Sequence, residues 1–443
     1  MDLAKALRLS DVPRIAFVGA GGKTTALFRL ARLLQPPVLV TSTTHLSTEQ
    51  ASWGDRHILM REPREIHSLQ DLIQVGVSVV TGLPAESGRL SGLDEASLES
   101  LHGLADENRL PLLIEADGSR QRPLKAPGDH EPAIPAFVDL VVVVAGLSGL
   151  NKPLNSNWVH RPAEFAAISG LHQGQEITEQ AVARALVHEQ GGLKNILTGM
   201  RRVALLNQAD NPESQGKASF LAERLLPAYA AVVIASLEGL ADTSQIFAVK
   251  EKIAGIVLSA GGSARLGEPK QLLRWRSKPF VRTVTETALS AGLDPVVIVT
   301  GAAHNAVEGA LKSLPVARVY NPDWETGQSS SVRAGLETLP PEVGAAIFLL
   351  ADQPQLPLTL LRSLIELHAS TLAPIIAPQV DGQRANPVLF DRNMFSDLEG
   401  LRGDTGGRAL FSRYPVTWLQ WNDPKILLDV DTLDDYQRLL EDS

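Results

Sequence analysis

Cysteine is absent from these 443 residues. That excludes disulfides, thiolate metal ligands and a cysteine nucleophile, and it agrees with a cytoplasmic chain. No apolar run reaches the roughly 18 residues a membrane span needs, so no membrane association is expected. The start, MDLAKALRLSDVPR, is an amphipathic fragment that soon meets Pro13 and lacks the apolar core of a signal peptide. A basic excess is missing too. Residues 1–250 carry 23 Lys+Arg against 27 Asp+Glu, and 251–443 carry 18 against 23. A nucleic-acid partner is therefore not expected. Internal repeats and low-complexity tracts are also absent. What remains is an ordinary apolar fraction of 44% and a length that suits two large α/β domains.

Residues 254–273, AGIVLSAGGSARLGEPKQLL, form the richest stretch. The apolar run Ala254–Leu258 stops at Ser259-Ala260-Gly261-Gly262, and Arg265 and Lys270 follow. A buried strand breaking into glycines with two separated cations reads as a triphosphate site, because glycine lets backbone N–H groups approach an anion. Downstream, DPVVIVTGA is a strand ending in Thr300-Gly301. Three serines after Gly327-Gln328 suit a helix N-cap, and Ser330 there could equally read a base. AAIFLLADQPQLP ends a buried strand in Asp352, where a magnesium ligand is wanted. GDTGGRAL (403–410) is a second glycine-rich turn entering a helix. KILLDVDTLDDYQRLL reads as a last strand ending in Asp429 and Asp431 before a helix. Convergent strand ends would let Asp431 face Asp352 as a second metal ligand, although a helix cap is the plainer role.

The first half repeats the theme with a different loop. The strand RIAFV leads into Gly19-Ala20-Gly21-Gly22-Lys23-Thr24-Thr25 and a helical stretch. These are the elements of a phosphate-binding loop, in the shortened form GxxGKTT similar to that of Mur-type ligases. The loop amides hold phosphates, Lys23 reaches the terminal ones, and the Thr24 hydroxyl joins magnesium. Thr41-Ser42-Thr43-Thr44-His45 crowds polar groups at a strand end. LPLLIEADGSR resembles a Walker-B element, ending in Glu115 and Asp117. The proline-rich segment 122–135 reads as a substrate or lid loop, and His160-Arg161 as an anion contact or a solvated loop. The strand RRVALLNQAD places Asn207 and Asp210 where GTP-binding proteins read guanine, but Gln208 replaces the usual lysine.

GAGGKTT, TSTTH, EADGSR, PLKAPGDHEPAIP and Val159-His160-Arg161 together resemble the YqeC-type family of selenium-dependent hydroxylase accessory proteins, over nearly all of 1–245. The resemblance implies a nucleotide-binding accessory role in maturing molybdenum hydroxylases. LSAGGSARLGEPKQLL, ADQPQLP, RANPVLF, GDTGGRAL and DVDTLDDY look like the nucleotidyltransferase family containing molybdenum cofactor cytidylyltransferase, over about 252–441. That resemblance implies transfer of a nucleotide monophosphate from CTP to the terminal phosphate of the molybdopterin cofactor. It also implies Gly261, Gly262, Arg265 and Lys270 on the triphosphate, with Asp352 and Asp431 on Mg²⁺. Ser259 stands where the family has alanine, and Ala385 where it has glycine.

The expected architecture is α/β throughout: residues 1–248 a P-loop-type, mostly parallel sheet domain, and 249–443 a Rossmann-like nucleotidyltransferase domain, joined by a short polar linker. The expected nucleotide contacts are Gly19, Gly21, Gly22, Lys23, Thr24, Thr25, Glu115 and Asp117 for ATP or GTP. In the second half they are Ala260, Gly261, Gly262, Thr300, Gly301 and Ser330, with Arg265 and Lys270 neutralising charge. The expected partners are the molybdopterin cofactor and a molybdenum hydroxylase. A guanylyl- or sugar-phosphate nucleotidyltransferase, fused to a non-catalytic nucleotide-dependent switch, is the alternative.

Overall fold

A computed structural model of the chain describes residues 1–441 except 67–72, 74, 86–87, 240–244 and 263–268. Arg265 lies outside the described residues. The chain divides into two compact units, 1–250 and 251–443. Among the described residues no helix is long and apolar enough to cross a membrane.

The first unit is built on eight strands: β1 (Arg14–Gly19), β2 (Val38–Ser42), β3 (Arg56–Leu59), β4 (Val77–Thr81), β5 (Leu112–Glu115), β6 (Leu140–Gly146), β7 (Arg201–Asn207) and β8 (Ala231–Ser236). They lie in the order β8-β7-β6-β1-β5-β2-β4-β3, every pair parallel. Parallel sheets are covered on both faces, so their strands read as unbroken apolar runs. LVVVVAG in β6 is buried at all seven positions. Covering helices include α1 (Lys23–Leu33), α2 (Glu95–Glu107), α3 (Pro162–Ser169), α4 (Glu179–Val187) and α5 (Pro212–Leu225). Leu98, Leu101 and Leu104 of α2 and Leu221 and Leu225 of α5 enter the core. Each such leucine contributes about 2 kcal/mol by leaving water. Strand β1 is central, and the chain leaves it toward β2 on one side and later returns as β6 on the other. Ligands bind at the carboxyl ends of strands beside such a reversal.

The second unit has strands β9 (Gln245–Ser259, whose first six residues belong to the first unit), β10 (Val296–Thr300), β11 (Ala317–Tyr320), β12 (Val343–Leu350), β13 (Ile375–Val380), β14 (Val388–Asp391) and β15 (Val416–Gln420). Residues 245–252, expected within a weakly patterned linker, are extended within β9. The order β11-β10-β9-β12 is parallel, and β14 turns the sheet antiparallel against both β12 and β13. This is a mostly parallel Rossmann-like sheet with its reversal at β9. The covering helices include α6 (Phe280–Ser290), α7 (Gln328–Leu336), α8 (Leu358–Thr371) and α9 (Leu433–Glu441).

Three local expectations fail. Residues 424–427 form a 3₁₀ turn, and the stretch to Asp431 is irregular rather than a strand. Pro424 removes a ladder donor there and fits the first turn of a helix instead. GDTGGRAL enters a 3₁₀ helix, Gly407–Ser412. Helix α7 starts earlier than its serines, with Gly327 at the N-cap and no side-chain cap.

Candidate functional sites

In the first unit, β1 ends at Gly19 and α1 begins at Lys23, so the turn between them is three residues long. Gly21 has φ +84, and a Cβ there would lie 2.3 Å from the Gly146 nitrogen. Only glycine fits that backbone and that approach. The turn amides are mostly committed. Gly19 N–H donates to Asp117 Oδ2 (3.0 Å), Ala20 N–H to the Val144 carbonyl (2.8 Å) and Gly21 N–H to the Arg122 carbonyl (3.1 Å). Gly19 and Gly21, expected as phosphate donors, therefore shape the loop instead. The N–H groups that precede the first intrahelical bond, Ala26 to Gly22, are those of Gly22, Lys23, Thr24 and Thr25. Those are the orphan donors a helix start presents to an anion.

Side chains around the loop interlock. Lys23 is buried, donates to the Gly19 carbonyl (2.7 Å) and lies 3.2 Å from Asp117 Oδ1. Thr24 donates to Glu115 Oε2 (2.7 Å) and accepts from Gln50 (3.1 Å). Burial pushes the Glu115 carboxyl up, against the pull of Lys23 and Thr24. Thr24, Glu115, Asp117 and Lys23 thus come together at the loop.

Lys125 was not singled out in the sequence, yet it is the hub of the neighbouring loop. Its buried ammonium donates to Asp117 (2.8 Å), the Gly118 carbonyl (2.7 Å) and Glu131 (2.7 Å). Arg161 grips Glu131 with two bonds, 2.6 and 3.0 Å. Burial pushes Glu131 up, but Arg161 and Lys125 outweigh it and hold the carboxyl at about 2. Segment 122–135, expected as a substrate or lid loop, is braced further by Lys194 on the Gly128 carbonyl and Asn195 on the Pro132 carbonyl. A lysine inside a proline-rich apolar stretch was the available signal.

The guanine-reading expectation is corrected. Asn207 is 1% exposed, donates to the Gly21 carbonyl (2.8 Å) and accepts from Leu237 N–H (2.8 Å). Both ends of its amide are used in holding the loop. Asp210 accepts from Ser236 (2.5 Å). Thr41 and Ser42 bond backbone carbonyls of Val80 and Glu115. The Thr43 hydroxyl is buried and has no partner among the described residues, at the edge of a cavity of about 1090 Å³ that spans the loop.

In the second unit, β9 ends at Ser259, followed by Ala260, Gly261 and Gly262. Buried Gln271 braces the turn through the Gly261 carbonyl (3.3 Å). A Cβ on Gly301 would lie 2.5 Å from the Ala260 carbonyl and 2.8 Å from Trp324, and one on Gly262 would lie 3.1 Å from the same indole. Trp324, missed in the sequence, thus sets the close packing of both glycines. The Thr300 hydroxyl is committed to His304 Nδ1 (2.8 Å) and the Val319 carbonyl (3.1 Å). Ser330 is committed to Asn321 (2.8 Å) and the Gly327 carbonyl (2.9 Å). Both hydroxyls, expected at the nucleotide, position backbone instead.

The charged centre lies beyond β12. Lys270 donates to Asp352 and to Asp431 (2.9 Å). Burial lowers the lysine's proton affinity, Asp352 and Asp431 raise it, and the net shift is upward. Asp429 accepts from Gln353 (2.6 Å), and burial followed by Asp352 pushes its carboxyl up. Asp352, Lys270 and Asp431 therefore meet, although no strand end delivers Asp431. Among the described residues no three acidic or histidine side chains form a self-sufficient metal cluster.

A family model described as YqeC protein matches residues 15–163, and one described as MobA-like NTP transferase domain matches 255–418. The chain is 34% identical over 203 residues to the uncharacterized protein YqeC of Escherichia coli, covering 45% of this chain and 77% of that one. It is 31% identical over 198 residues to a nicotine blue oxidoreductase of Paenarthrobacter nicotinovorans, covering 42% and 96%. It is 24% identical over 182 residues to the molybdenum cofactor cytidylyltransferase of Escherichia coli, covering 41% and 92%. The chain belongs to the YqeC family in its first unit and to the MobA-like NTP transferases in its second, and that second unit is a nucleotidyltransferase.

Proposed function

We propose that the second unit transfers CMP from CTP to the terminal phosphate of the molybdopterin cofactor, releasing pyrophosphate. The observation that carries this reading is the Lys270 ammonium held between Asp352 and Asp431, past the carboxyl end of β12 and beside the β9 turn. The relation to a molybdenum cofactor cytidylyltransferase supports the choice of substrate. An acceptor phosphate oxygen attacks the α-phosphorus, the bond to the bridging oxygen breaks, and pyrophosphate leaves with the electron pair. No protein nucleophile is needed. Lys270 stays cationic and offsets charge on the α-phosphate side, and Arg265 is assigned to the triphosphate on its motif position. Gly261 and Gly262 offer backbone, while Ala260, Thr300, Gly301 and Ser330 hold the surrounding turns in place. Asp352 and Asp431 converge on one ammonium, so the pair also fits one small cation. Mg²⁺ held there with substrate phosphates would neutralise charge in the displacement.

The first unit, divided from the second near residue 248, binds ATP or GTP on the Gly22–Thr25 amides. Thr24 and Glu115, already in contact, are the donors that fit Mg²⁺. Its role is that of an accessory module serving a molybdenum hydroxylase. The test is incubation with molybdopterin cofactor and each of four α-labelled NTPs, scoring transfer and hydrolysis separately. Label moving from CTP to the pterin supports the reading. Transfer only from GTP, or only to sugar phosphates, replaces it.

A further inference from the structure

The first unit's cavity is larger than one nucleotide loop explains. Its volume of about 1090 Å³ is at the upper limit of the roughly 300–1,000 Å³ a small-molecule site occupies. The phosphate loop lines one side. Arg120, Arg122 and His160 line another. Among the described residues neither guanidinium has a hydrogen-bonding or ion-pair partner, and Arg122 is half-buried. Of the three acids lining the cavity, Glu131 is committed to Lys125 and Arg161 and Glu115 to Thr24, while Glu49 is exposed.

The backbone is also strained here. Eight non-glycine residues of this unit have left-handed φ among the described residues, and four of them line this cavity: Arg120 (+49), Gln121 (+58), Arg161 (+61) and Gln208 (+66). Arg161 is the N-cap of α3, as Arg8 is the C-cap of a short helix, whereas Arg120 and Gln121 are consecutive and cap no helix. A consecutive left-handed pair such as Arg120-Gln121 is unfavourable for residues with a Cβ, and persists where surroundings over-determine it. The surroundings do so through the Arg122 carbonyl, which accepts from the phosphate loop's Gly21. The strained turn is thus fastened to the loop, and both its arginines are held against the same cavity. Arg161, Lys125 and Arg120 add, after burial, to holding the His160 imidazole neutral, so the field at this wall is positive.

We infer that this wall is a second ligand subsite, and that it binds a phosphomonoester beside the nucleotide. Two unpaired guanidiniums and a neutral imidazole match a dianion with several acceptor oxygens better than a single carboxylate. The inference rests on the nucleotide reading of Gly22–Thr25 for the word "beside", and the experiment separates the two.

The probe is inorganic phosphate, titrated by equilibrium dialysis into the full chain with and without Mg²⁺ and the imido analogue of ATP. The wild type should bind one phosphate in both conditions. The double variant Arg120→Ala/Arg122→Ala should weaken it by about 10-fold or more, with analogue affinity kept within about 2-fold. Arg120→Lys/Arg122→Lys should recover much of the loss, which a folding defect would not allow. Lys23→Ala should spare phosphate while weakening the analogue. Phosphate binding equal in wild type and double variant overturns the subsite, and so does displacement of phosphate by the analogue. Analogue binding that ignores Lys23→Ala overturns the nucleotide reading, while the arginine comparison still decides the subsite.

Discussion

Glu131→Gln offers a quantitative test of the first unit. Glu131 joins two cations, Lys125 with its side chain 2% exposed and Arg161 through a two-point grip. The carboxyl is depressed from the usual 4.5 to about 2. At about 1.36 kcal/mol per unit, that linkage stabilises the fold by about 3 kcal/mol at neutral pH, and partial exposure trims it to about 2. The sign follows from the depressed folded value. The stabilisation is complete above the unfolded pKa and is lost as pH falls from about 4.5 toward 2. Glu131→Gln should therefore cost about 2 kcal/mol at pH 7, and more than half of that gap should vanish by pH 3. The assay is urea unfolding followed by hydrogen–deuterium exchange of peptides covering 112–165, which isolates this unit's transition. A gap that stays constant from pH 7 to pH 3 would refute the electrostatic account, because a lost packing contact does not titrate.

Ser259→Ala should be neutral or stabilising by up to about 1 kcal/mol in chemical denaturation, because the Ser259 hydroxyl is buried and has no partner among the described residues. A loss above that value would reveal a partner for it. Asn207→Ala orphans the Gly21 carbonyl and the Leu237 N–H, and should cost about 3 kcal/mol at two buried groups. It should leave any preference between ATP and GTP unchanged, so a selective loss of one base in competition binding would restore Asn207 as a base reader. Gly21→Ala should abolish Lys23-dependent nucleotide binding, since its Cβ would meet the Gly146 backbone; calorimetry showing wild-type affinity would contradict the loop geometry.

Motifs that depend on local chain geometry were legible in the sequence. GAGGKTT had to be a strand, a glycine turn and a helix, because the residue types permit little else, and β1 and α1 follow that reading. Asp352 was legible because the apolar run Ala345–Ala351 before it demanded a buried strand. What stayed hidden was which hydrogen bonds the tertiary fold had already used. Asn207, Thr300 and Ser330 sit where ligand contacts occur, yet their polar atoms are consumed within the protein: Asn207 and Thr300 by backbone groups distant in sequence, Ser330 by the Asn321 amide and the Gly327 carbonyl. Lys125 and Trp324 were invisible for the converse reason: each acts on groups brought to it by other segments. Asp431 reached Lys270 by an irregular stretch that strand periodicity could not anticipate.

The central claim is two independent nucleotide sites in one chain, with Lys270 serving nucleotidyl transfer and Lys23 serving the other. The direct measurement crosses Lys270→Ala and Lys23→Ala, following pyrophosphate release from CTP with molybdopterin cofactor alongside binding of the ATP imido analogue. The account predicts that Lys270→Ala lowers transfer by at least about 100-fold and spares analogue binding, while Lys23→Ala does the reverse. Full transfer activity in Lys270→Ala would contradict it.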